Sequence, residues 1–169
     1  MAACGTDSTS PSTGSVTQFF RGSTQTPEST ATNAGTAAAE TITVGCPAVS
    51  ILPDTESLRR LDASGDEEAL RWQASITKTA RECTKISDGV SIRVGVAGRV
   101  VEGVKGAPDQ VELPLRIAVR EGGEVTYSRL HNVQVSLAGA ASQSWAFVDD
   151  TVKVDEPGRA EIIVGFDGG

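Results

Sequence analysis

From Leu70 to Phe166 apolar side chains recur at every second residue, with polar residues between them, in one segment after another. A period of two belongs to a β-strand with one face in a core and the other in water. In Leu70 to Cys83, Leu70, Trp72, Ala74, Ile76 and Ala80 alternate with Arg71, Gln73, Ser75, Thr77, Thr79 and Arg81, and only Lys78 interrupts the inward series. Val90, Ile92, Val94, Val96 and Val100 repeat the pattern against Ser91, Arg93 and Arg99, and Val111, Leu113, Leu115, Ile117 and Val119 repeat it again. Asp88-Gly89 and Gly106-Ala107-Pro108-Asp109 supply turn residues between these runs, and Glu121-Gly122-Gly123-Glu124 predicts a tight reversal. The alternation from Val125 to Leu137 shifts phase near His131-Asn132, which predicts a bend or bulge there. Trp145, Phe147, Val152 and Val154 outline an irregular strand, Ala160, Ile162, Val164 and Phe166 the last, and Cys46 to Leu52 the first.

The longest helical period in this part of the chain is Asp54 to Leu61. About seven short strands with so little helix predict an all-β fold, an antiparallel two-sheet sandwich over residues 42–169. In architecture this resembles immunoglobulin-like and fibronectin-type domains. Trp72 and Trp145 read as core anchors, with an exposed ligand platform as the alternative.

Residues 1–41 have another character. They hold 16 Ser or Thr and, apart from Phe19 and Phe20, almost no large apolar side chain, so they cannot bury enough area to offset the entropy of ordering them. The expectation is a disordered tether with an r.m.s. span of roughly 35 Å. Gln18-Phe19-Phe20-Arg21 is its one apolar spot, either a short docking motif or chance apolar residues in a linker.

The opening Met1-Ala2-Ala3-Cys4-Gly5 resembles the cleavage region of bacterial lipoprotein precursors, where two small residues precede a cysteine that becomes the diacylated first residue. The resemblance implies lipid attachment at Cys4, and Gly5 in place of an aspartate implies the periplasmic face of the outer membrane. An ordinary N-terminus is the other reading.

Cys46 and Cys83 then remain as an even pair. Cys46 opens the first strand and Cys83 closes the second, so antiparallel pairing of these two strands would bring them within bridging distance. A disulfide there would stabilise the fold by about 4 kcal/mol through loop-closure entropy, and it needs an oxidising compartment. Two reduced, buried cysteines are the alternative. No CxxC spacing or second histidine points to a metal.

Charge narrows the partners. Of the net −7, Arg21 against Asp7, Glu28 and Glu40 leaves −2 in residues 1–41 and −5 in the remainder. Such an acidic body is repelled by phosphate backbones, which argues against nucleic acid. No apolar stretch is long enough to span a bilayer as a helix, so membrane contact is expected through the lipid alone.

Candidate chemistry is sparse. His131 is the sole histidine and has no serine or cysteine arrangement around it. Gly98 to Lys105 only superficially resembles a phosphate loop, since Lys105 does not directly follow Gly103 and no Ser or Thr comes next. Asp62-Ala63-Ser64-Gly65-Asp66-Glu67-Glu68 gathers carboxylates without the spacing of a calcium loop. The sequence therefore predicts a non-enzymatic protein, without metal or cofactor, that contacts envelope proteins. Arg71, Arg81, Arg93, Arg99, Arg116, Arg120 and Arg129 on the wet faces are the candidate surface, because guanidinium pairs bidentately with carboxylates. Binding of a glycan or small ligand by the loops is the alternative.

Overall fold

The computed structural model describes residues 45–168, which form eight strands in two sheets. They are β1 (Val49–Ile51), β2 (Ser57–Leu61), β3 (Leu70–Ile86), β4 (Gly89–Glu102), β5 (Gln110–Glu121), β6 (Glu124–Ser136), β7 (Ser142–Val154) and β8 (Ala160–Phe166). The first sheet has the order β1-β8-β5-β6 and the second β2-β3-β4-β7. Every pairing is antiparallel except β1 with β8, which is parallel. The fold is an all-β two-sheet sandwich, as the alternation predicts. Cys4 and the whole expected tether, residues 1–41, lie outside the described residues.

The inner faces make one core. Val111, Leu113, Leu115, Ile117 and Val119 of β5 and Ile162, Val164 and Phe166 of β8 pack with Trp72, Ala74 and Ile76 of β3, Val90 to Val100 of β4 and Val152 and Val154 of β7. Both tryptophans belong to it, each 6% exposed.

Three local expectations are corrected. Ser57–Leu61 is a strand and not helical, because Leu58 opposite Ala74 is its one fully buried apolar residue and Arg60 spends the next inward position covering the Trp72 ring. A five-residue strand with a single buried anchor gives too few turns of any period to identify. Second, β3 changes register between Ile76 and Lys78, which leaves Thr77 without a counterpart and reverses the inward phase. Ala80 consequently faces outward, and Arg81 and Cys83 lie opposite the inward Val94 and Ile92. That bulge is the reason Lys78 broke the pattern. Third, β6 holds its register with β5 through His131 and Asn132, and the only irregularity between them lies at Val119/Arg120. Tyr127, Arg129, His131, Val133 and Val135 are all in one phase; what changes at His131 is the polarity of the side chains that the inward face carries.

Cys46 and Cys83 are bridged, with Cα atoms 5.8 Å apart. The predicted geometry for that bridge does not hold, since the strand following Cys46 pairs with β8 and not with β3. The disulfide instead ties the segment entering the first sheet to the core-facing side of β3 in the second. It closes a sequence separation of 37 residues, for which loop-closure entropy gives about 4 kcal/mol.

Gly98 decides how closely β4 can approach its neighbours. It sits opposite both Ile76 and Trp145, and a Cβ there would lie 1.9 Å from the Ser75 carbonyl oxygen and 2.8 Å from the indole ring. Gly98→Ala is expected to destabilise the domain by about 2 kcal/mol or more through forced displacement of backbone and ring, measured as a lower urea midpoint at unchanged m-value.

Candidate functional site

A cluster of hydrogen-bonded polar side chains lies on the side where edge strand β6 of the first sheet meets edge strand β7 of the second. Among the described residues Asp149 is the only buried charged one, 3% exposed. Its placement follows from a bulge: Val94 pairs with Asp149 and Ile92 with Val152, so Asp150 and Thr151 together oppose Arg93. Trp145, Phe147 and Asp149 keep one inward phase, and the extra residue restores Val152 and Val154 to the core.

Asp149 accepts four hydrogen bonds. Tyr127 Oη donates to Oδ2 at 2.6 Å and His131 Nε2 to the same oxygen at 3.0 Å, while the Thr151 amide and Oγ1 donate to Oδ1 at 2.9 and 2.7 Å. Arg129 donates to Thr151 Oγ1 at 3.2 Å and lies over the Tyr127 ring, and the His131 ring stacks obliquely on Phe147 at 4.6 Å. Burial by itself would raise the Asp149 pKa, but the bonds from Tyr127 and Thr151, with His131 alongside, hold it below the ordinary carboxylate value of 3.8. The Tyr127 phenol is pushed up, first by burial and then by its bond to Asp149.

This arrangement can hold but is poorly suited to react. An ionised carboxylate has about four lone-pair sites, and all four are filled by protein donors. His131 spends Nε2 on Asp149, and among the described residues no serine or cysteine is bonded to either. The cluster is a polar clasp across the open side of the sandwich, joining β6 to β7 where no backbone ladder does. From sequence Asp149-Asp150 reads as a solvated acidic loop and Tyr127 draws no notice; Asp149 is instead buried within β7. The available signal was that Asp149 continues the phase of Trp145 and Phe147, and Tyr127 that of Val133 and Val135.

The seven arginines do not form one surface. Arg71, Arg93 and Arg99 lie on the outer face of the second sheet, where Arg93 pairs with Glu82 and Arg99 donates to Ser142. Arg116 and Arg120 lie on the outer face of the first sheet. Arg81 and Arg129 are not on a wet outer face: both occupy core-facing positions, opposite Val94 and Ile117, and remain exposed because each is at an unpaired margin of its sheet.

Around Arg116 and Arg120 the first sheet is concave. Ala118, paired with Ile163, lies on the floor of a groove of about 520 Å³, and Gly165, opposite Arg116, is covered by Thr55, whose Oγ1 would be 2.0 Å from a Cβ there. Leu52 and Thr55 wall one side and Val125 the other, with Leu52 and Val125 about half exposed. Arg116 forms an ion pair with Asp167 and donates to Ser128.

Elsewhere, the Asp62 carboxylate accepts from the Ser64 amide and hydroxyl, which lowers its pKa and accounts for the turn without a cation. Among the described residues no group of three or more His, Cys, Asp and Glu is placed to hold a metal. Comparison with protein-family models, curated proteins and solved structures finds no match.

Because the folded-state pKa of Asp149 is depressed, its contribution to stability is present above the ordinary carboxylate value and is lost as pH falls through the lowered one. Asp149→Asn is expected to cost about 3 kcal/mol at neutral pH, since its amide places donors against donors. It should also flatten the decline in unfolding free energy as pH falls through and below the ordinary carboxylate value of 3.8; an equally steep decline in the variant would show that Asp149 does not carry it.

Proposed function

We propose that this chain is a non-enzymatic, lipid-anchored envelope protein whose sandwich serves as a protein-interaction module at the periplasmic face of the outer membrane. The observation that carries the reading is the outer face of the first sheet. There Arg116 and Arg120 flank a groove walled by exposed Leu52 and Val125, with Leu130, 45% exposed, paired across the ladder from Arg116. Apolar anchors among arginines are the composition of a contact surface, in which guanidinium pairs with a partner's carboxylates at the rim. The disulfide supports an oxidising compartment. Cys4, as the residue that resembles a lipoprotein attachment site, would supply the anchor.

Glycan or small-ligand binding by the loops has less support, because burial of both Trp72 and Trp145 leaves no tryptophan platform on which a sugar ring could stack.

Two measurements test the reading. Labelling of growing cells with an alkyne fatty acid should mark the protein through Cys4 and lose the mark in Cys4→Ser; an equal mark in the variant contradicts the anchor. A photo-crosslinking amino acid at position 130 should give one discrete adduct with another envelope protein. That adduct should weaken at least fivefold in Arg120→Glu and persist in Arg99→Glu, which alters the opposite sheet. Loss in the second variant but not the first would overturn the assignment of the face.

A further inference from the structure

The groove has a candidate occupant within the same chain. The aromatic residues of the first 41 are Phe19 and Phe20, adjacent to one another and followed by Arg21. We propose that Gln18-Phe19-Phe20-Arg21 docks in cis into the groove on the outer face of the first sheet, so that a protein partner gains the groove by displacing it. This rests on the reading of that groove as a docking surface.

Chain length favours the chain's own segment. The described residues begin at Gly45, and Leu52, the groove wall, follows seven residues later, a separation of at most about 23 Å at strand rise. Twenty-four residues, 21–44, lie between Phe20 and Gly45. A coil of that length, which their Ser/Thr/Ala-rich composition predicts, has an r.m.s. span of roughly 27 Å. A linker whose span matches the distance to be bridged gives an effective concentration near the millimolar range, enough for a weak two-aromatic contact to be populated.

The walls suit an aromatic occupant: Leu52 and Val125 are apolar, and Ala118 lies low between Arg116 and Arg120, while Gly165 is covered by Thr55. The charged lining is balanced, Asp54 and Asp167 against Arg116 and Arg120 with Arg116 paired to Asp167, which leaves Asp54 to face Arg21. A free second copy would bring the same segment only at its bulk concentration, which is far lower.

The test uses the full chain, purified and dilute, with p-benzoyl-phenylalanine in place of Phe20. Irradiation followed by peptide mapping should give an intrachain crosslink to Leu52, Val125 or Ile163, reduced at least fivefold by Val125→Glu. Val125 is 56% exposed, so that substitution should leave the fold intact, which a circular dichroism melt verifies. Crosslinks that join two copies, fall outside the groove or ignore Val125→Glu would overturn the proposal. If the adduct at position 130 in the envelope persists while this crosslink fails, the groove serves a partner and the cis occupant is wrong; if both fail, the groove is not a docking surface.

Discussion

Two sheets laid face to face bury their broad surfaces easily, but their margins must be joined by something other than a strand ladder. Here the long edges of β6 and β7 face one another, and the link across them centres on one buried carboxylate. Leaving Asp149 in a dry interior without partners would cost several kcal/mol, whereas four donors from both strands turn the same charge into a directional fastening. Position and register of the donors then follow. Tyr127 and His131 must be in phase on β6, and β7 must bulge at Asp150 and Thr151 so that Thr151 can turn its amide back to Asp149. The disulfide constrains the fold in a complementary way, by linking the segment before β1 to the other sheet.

The outer face of the first sheet depends on that closure. With Tyr127 and His131 held inward, the alternate residues of β6, Ser128 and Leu130 among them, are fixed outward beside Arg116. Ala118 between Arg116 and Arg120 then leaves a groove where a uniform strand surface would be flat. The proposed interaction surface is thus a consequence of phase, set at the clasp and read out on the opposite side of the same strands.

Much of the fold was legible because a core-facing strand writes its phase into the sequence. β4, β5 and β8 show this most clearly, with Val, Ile and Leu at most inward positions. Legibility failed where phase and hydrophobicity separate. On β6 the inward face becomes polar at Tyr127, Arg129 and His131, which imitates a register slip. On β3 the bulge at Thr77 makes a real slip that looks like one misplaced lysine. The pairing of Cys46 with Cys83 came out as expected for a reason the structure does not support, since strand neighbours are a long-range property that a local pattern cannot contain. The arginines were read as one surface because alternation says which residues are wet but not which sheet they belong to.

A double-mutant cycle with Asp149→Asn and Tyr127→Phe measures the clasp most directly. If the buried carboxylate fastens β6 to β7, urea unfolding at neutral pH should give a coupling free energy of at least about 1 kcal/mol between the two sites, because each substitution removes the partner the other needs. Additivity within about 0.3 kcal/mol would contradict the account.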